Sequence, residues 1–104
     1  MLVAFSIAPS TESADGGVHE AVAEAVRIVR DSGLPNETNA MFTNIEGEWD
    51  EVMGVIKQCV DALAVKSPRV SLVIKADIRP GFTGQLQAKV ERVENALGNH
   101  PTAD

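Results

Sequence analysis

From Leu2 to Ala8 the chain alternates. Val3, Phe5 and Ile7 fall on one face and Ala4, Ser6 and Ala8 on the other, which predicts a half-buried strand with small residues on its second face. Pro9 to Gly17 is a loop by composition. Val18, Val22, Ala25, Val26 and Val29 then follow helical spacing, with Glu20, Glu24, Arg27 and Arg30 turned away. Gly33 stands where a left-handed C-terminal cap is expected, and Pro35 prevents continuation. Residues 36–48 predict two short strands joined by a turn near Ala40 to Thr43. Trp49 to Leu63 predicts a second helix, striped by Val52, Ile56, Cys59 or Val60, and Leu63. Asp50 and Glu51 lie in its first turn, where acidic groups favour the helix dipole. Arg69 to Arg79 alternates most cleanly, with Val70, Leu72, Ile74, Ala76 and Ile78 on one face and Ser71, Val73, Lys75 and Asp77 on the other. Pro80-Gly81 breaks it. Phe82, Leu86, Val90, Val93 and Leu97 predict a last amphipathic helix, with Thr83 as its N-cap and Gly98 just past its end.

The order is β-α-β-β-α-β-α. Its first six elements are two interlocked crossover units, so the predicted class is α+β: a ferredoxin-like βαββαβ sandwich with an additional C-terminal helix. Residues 1–98 read as one domain and 99–104 as a flexible tail. Right-handed crossovers place both main helices on one sheet face. Val3, Phe5 and Ile7, with Val70, Leu72, Ile74 and Ile78, are expected beneath them. The opposite face carries Ser6, Ser71, Val73, Lys75 and Asp77, a mixture that is either wet or covered in an oligomer.

The totals narrow the partners. A chain of 104 residues suits one domain, and with aromatics at 4% its core must be mainly aliphatic. Formal net charge is −6, which disfavours nucleic acid and anionic membrane surfaces and tolerates a cationic ligand. Cys59 is the only cysteine, so no intrachain disulfide forms; the expected location is cytoplasmic. The apolar start at Met1 to Ala8 reads as a strand and not as a signal peptide. His19, Cys59 and His100 have no metal-ligand spacing, and there is no nucleophile elbow, phosphate loop or dinucleotide fingerprint. No metal or cofactor is therefore expected; carboxylates are plentiful, but Glu46, Glu48, Asp50 and Glu51 are too close in sequence to identify a specific acid-base pair, and no catalytic residue is named.

One run stands apart. Leu34 to Met53 packs amides, hydroxyls, carboxylates, a Met, a Phe and the only Trp into a stretch that is neither a clean helix nor a clean strand. Small-molecule sites combine apolar walls with a few placed polar groups in this way. Thr43-x-Ile45-Glu46-Gly47-Glu48-Trp49-Asp50-Glu51-Val52-Met53 closely resembles the segment typical of the small thiamine-binding-protein family. The likeness extends to the strand ending Ser6-Ile7-Ala8-Pro9, to Val22 through Leu34, to the strand Arg69 to Arg79 and to Lys89 through Glu94. It implies ferredoxin-like subunits that form dimers and commonly tetramers through sheet contacts, some of which bind thiamine mainly through its aminopyrimidine half. No enzymatic activity is established for that family as a whole. The chain departs from the pattern at Pro9-Ser10-Thr11, where Pro-Leu-Gly is usual, and at Ile78, where a second Asp often stands.

Thiamine also suits the residues chemically. Its pyrimidine needs a flat apolar wall with donors and acceptors at the edge. Trp49, Phe42 and Met41 offer walls, and Ser6, Asn39, Thr43 and Glu46 offer edge contacts. Asp77 is a further candidate. Each has a plainer reading: Met41 and Phe42 as core, Trp49 as a staple for the second helix, Asn39 and Thr43 as turn residues, Asp77 as an interface ion. The expected function is non-catalytic binding of thiamine or hydroxymethylpyrimidine by a homo-oligomer, favoured as a dimer of dimers, acting as carrier, buffer or sensor. The alternatives are an oligomeric interaction module without a ligand, or a small hydrolase or lyase using Glu46 or Asp77 between subunits.

Overall fold

The computed structural model describes residues 1–9 and 18–98; the expected frayed tail lies outside them. The elements are β1 (Leu2–Pro9), α1 (Val18–Asp31), β2 (Asn36–Thr38), β3 (Thr43–Glu46), α2 (Trp49–Ala64), β4 (Val70–Asp77) and α3 (Gln85–Gly98). The sheet order is β2-β3-β1-β4, antiparallel throughout. This is the ferredoxin-like arrangement with a third helix appended.

The alternation along β1 does what its pattern dictates. Val3, Phe5 and Ile7 are buried beneath the helices and meet Ile45 of β3, Ala25 and Val29 of α1, and Val52, Val55, Ile56, Cys59 and Leu63 of α2. Each fully buried large side chain stabilises the fold by about 1.5–3 kcal/mol relative to exposure. Val55 widens the predicted α2 stripe to the spacing of a helix lying flat on a sheet. Cys59 is a core thiol whose Sγ donates to the Ala25 carbonyl at 3.5 Å. Burial pushes its pKa up to about 11.

Two expectations about the outer elements fail. Leu72 and Ile74 lie opposite Ile7 and Phe5 on the helix side of the sheet, yet they are 38% and 37% exposed. Ile78 is 60% exposed. Core burial under the two helices is concentrated on β1 and β3, and of the expected residues on the edge strand β4 only Val70 packs against it. The last helix starts at Gln85 and not at Phe82, because Gly81 and Gly84 adopt φ of 83° and 67° and keep that stretch a loop. Its stripe is not a core face: Val90, Val93 and Leu97 are all more than half exposed.

The β2–β3 connection spans 39–42, one residue earlier than its sequence suggests. Asn39 supplies the missing turn signal. Its Oδ1 accepts from the N–H groups of Met41 and Phe42, both at 2.9 Å, while its own N–H donates to the Phe42 carbonyl. Gly33 caps α1 in the left-handed region, as predicted, with φ 76°. Gly47 has an ordinary φ; its lack of a side chain matters sterically. A Cβ there would lie 3.2 Å from Val52 Cγ2 and 3.4 Å from Leu34 Cδ1. That close approach lets Gly47 exchange hydrogen bonds with Met1, at 2.9 and 3.1 Å, before α2 begins.

Candidate functional site

A cleft of about 240 Å³ opens where α1, β1 and the β2–β3 hairpin meet. Its sheet side is Phe5, Ser6, Ile7 and Ala8; its hairpin side is Thr38 to Thr43; its helix side is Val22, Ala25 and Val26. The cleft explains why Val22, an apolar position on α1, is 37% exposed while Val29, two turns on, is fully buried. Val22 walls a cavity where Val29 packs into the core.

Side chains of a strand alternate between faces, so four successive β1 residues border one cleft by way of the strand's edge. That edge is open. β1 pairs with β3 only from Leu2 to Phe5, although its pairing with β4 continues to Pro9. Main-chain donors and acceptors of an antiparallel strand alternate between its two edges. At least one of Ser6, Ile7 and Ala8 therefore presents an N–H and a C=O to the cleft, with no strand opposite among the described residues. Beside this edge Thr38 and Thr43 form a cross-strand pair with hydroxyl oxygens 3.5 Å apart. Thr43 is 8% exposed. Phe42 and the exposed Met41 project from the hairpin turn.

Of the residues nominated from sequence, the structure brings Ser6, Asn39, Met41 and Thr43 together around this cleft. Asn39 Oδ1 is occupied by the turn. Glu46, Trp49 and Asp77 are not part of the lining. Glu46 projects from the sheet face opposite α1 and α2 and is 5% exposed. Its Oε2 accepts from the Gln85 N–H at 2.8 Å and its Oε1 from the Leu86 N–H at 3.1 Å. The carboxylate thereby caps α3, satisfying two of the amides that a helix N-terminus leaves without partners. Gln85 itself is fixed by Arg92, whose Nη2 donates to Gln85 Oε1 at 3.2 Å. Trp49 opens α2 and is 55% exposed, neither a cleft wall nor a buried staple. Asp77 pairs with Lys89 of α3 at the surface, and that ammonium holds the carboxyl below the usual carboxylate range. Glu51, two residues beyond Trp49, accepts from the Glu48 N–H at 3.0 Å and caps the start of α2.

The sequence reading missed Thr38, Val22 and Val26 as cleft residues, and it missed the main chain. The register of Thr38 against Thr43 is fixed only by the hairpin, and an unpaired strand edge has no signature in residue types. Two wider depressions, of about 400 and 460 Å³, lie on the helical surface. They lack the combination of apolar walls, hydroxyls and free main chain found beside β1. Among the described residues no group of His, Cys, Asp or Glu is placed to hold a metal ion.

The sequence model of the thiamine-binding protein family matches residues 3–94. The chain belongs to that family. A UPF0045 protein of Mycobacterium bovis is 55% identical over 98 residues, covering 93% of this chain and 94% of the relative. A hypothetical protein from Methanocaldococcus jannascii superposes with a TM-score of 0.79 at 27% identity, over 89% of this chain and 94% of that one. A Thermotoga maritima protein described as a candidate for thiamine biosynthesis or salvage gives 0.73 at 26% identity, over 88% and 97% of the two chains. The family is named for a ligand.

Proposed function

We propose that this protein binds thiamine or its hydroxymethylpyrimidine moiety in the cleft beside β1, without chemistry, as a carrier, buffer or sensor in the cytoplasm. The observation that carries the reading is the pairing of apolar walls with an open main-chain edge and two adjacent threonines in a member of the thiamine-binding family. Among the described residues no titratable side chain lines the cleft, which favours binding over proton transfer. Thiamine has about 18 non-hydrogen atoms; at roughly 0.3–0.5 kcal/mol per atom its Kd falls between about 0.1 mM and submicromolar.

Calorimetric titration with thiamine and with hydroxymethylpyrimidine tests the reading. A saturable isotherm is expected for both, weakened about fivefold in Thr43→Val, which keeps the shape of Thr43 and removes its hydroxyl. No heat and no thermal stabilisation at millimolar ligand contradicts it.

The exposed apolar surface supports a homo-oligomer, a dimer at least and a tetramer favoured. Leu72, Val73, Ile74 and Ile78 surround the unpaired outer edge of β4, and α3 exposes Val90, Val93 and Leu97. A free strand edge flanked by apolar side chains is ordinarily covered. Sedimentation as a strict monomer at micromolar concentration contradicts assembly.

A further inference from the structure

The sulfur atoms of this chain belong to three methionines, Met1, Met41 and Met53, and one cysteine, Cys59. The fold treats them very differently. Cys59 is fully buried in the core, and burial pushes its thiol up to about 11. It has neither the access nor the thiolate that an oxidant needs. Met1 and Met53 are partly buried and pack against the core cluster. Met41 is 73% exposed at the tip of the β2–β3 hairpin. Its main chain is held in place by the turn, since its N–H donates to Asn39 Oδ1. Its side chain borders the cleft beside Phe42. The one sulfur open to solvent is therefore also the one on a cleft wall.

We propose that Met41 is the site at which peroxides modify this protein, and that its sulfoxide weakens ligand binding in the cleft. A lone pair of the Met41 thioether attacks one oxygen of the peroxide. The S–O bond forms as the O–O bond breaks, and the departing hydroxide takes up a proton and leaves as water. The sulfur is oxidised by one electron pair and the peroxide is reduced by the same pair. The step needs no thiolate and no base, only access to the sulfur, and susceptibility follows exposure. The product replaces an apolar wall with a polar, chiral one. The modification concerns the sulfur alone; its effect on binding rests on the function proposed above.

The test treats the whole folded chain with dilute hydrogen peroxide and follows each sulfur by peptide mass. The Met41 peptide is expected to gain one oxygen, about 16 Da, at least about tenfold faster than the Met1 and Met53 peptides, with Cys59 unchanged. The thermal midpoint should move by no more than about 1 °C, because the side chain lies outside the core. Oxidised protein is expected to bind hydroxymethylpyrimidine about three- to tenfold more weakly than untreated protein, and a methionine sulfoxide reductase should restore both mass and affinity. Met41→Leu compared with itself should show the same affinity before and after peroxide. Earlier oxidation of Met1, Met53 or Cys59 overturns the inference. So does oxidised protein that binds as tightly as untreated protein, or a Met41→Leu protein that still loses affinity to peroxide. Untreated protein that binds no hydroxymethylpyrimidine overturns the ligand reading and the effect on binding with it, while the order of oxidation still decides the site.

Discussion

The two ends of the β1–β3 pair are built from similar materials and put to opposite uses. At one end lie Leu2, Glu46 and Gly47. There Met1 and Gly47 exchange main-chain hydrogen bonds, and both oxygens of Glu46 are taken by α3. At the other end β3 stops at Thr43, and β1 runs on through Ser6, Ile7 and Ala8 with its edge open to the cleft. A buried carboxylate looks more like a ligand contact than a stretch of bare strand does. Yet the carboxylate is already satisfied, while the strand edge has no partner strand among the described residues. In this fold the group with a hydrogen bond still to give is the strand edge, and not the charged side chain.

That contrast breaks first at Glu46. Glu46→Ala leaves two helix amides without their charged acceptor and is expected to cost about 3 kcal/mol or more, with Glu46→Gln costing about half as much because one acceptor oxygen remains. Denaturant unfolding measures the loss. Ligand affinity measured under folding conditions should stay within about twofold of the wild type for Glu46→Gln, the size of change expected for a residue outside the contact. A large affinity loss with little change in stability would move Glu46 into the site.

Cys59 connects the core to the cleft wall, since its thiol donates to the carbonyl of Ala25. Its pKa is raised from 9.0 to about 11 in the folded protein. Above pH 9 the unfolded chain loses this proton while the folded chain keeps it. The stability contribution is therefore fully present below pH 9 and is lost as pH rises through about 11. The loss across that window should be about 2–3 kcal/mol, and the corresponding slope should vanish in Cys59→Ala.

Asn39 sharpens the cleft end. Asn39→Ala removes the acceptor for two turn amides and should cost about 1 kcal/mol, together with ligand affinity as the hairpin loosens. Asn39→Asp keeps the acceptor and should restore most of the stability. Recovery of stability without recovery of binding would show that the Asn39 amide itself touches ligand. The smallest expected effect is at Trp49. It lies outside the cleft lining, so saturating ligand should leave its emission nearly unchanged, and a large shift would place the ligand at the other end of the sheet.

Most of the fold was legible because its pattern is local. Period-two alternation marked β1 and β4, helical spacing marked α1 and α2, and Gly33 marked where α1 ends. The sequence is silent where a residue's partner is distant. Nothing near Glu46 announces that it caps a helix beginning at Gln85. The regular alternation of Val70 to Ile78 cannot reveal that Leu72 and Ile74 are only partly covered while Val70 packs against the core. The candidate site was legible in its side chains at Ser6, Asn39, Met41 and Thr43, which share the hairpin end of the sheet. Its main-chain part was not, because an unpaired edge depends on where β3 stops. Asn39 shows the intermediate case: a turn residue with a known mechanism, hidden because the usual Gly or Pro was absent.

The proposed function turns on which end of the β1–β3 pair meets the ligand. Amide chemical-shift mapping during titration with hydroxymethylpyrimidine addresses this directly. Saturable shifts are predicted for the N–H groups of Ser6 to Ala8 and of Thr38 to Thr43, with Glu46, Trp49 and Gln85 nearly still. Shifts centred on Glu46, Trp49 and Gln85, with the β1 edge unmoved, would contradict it.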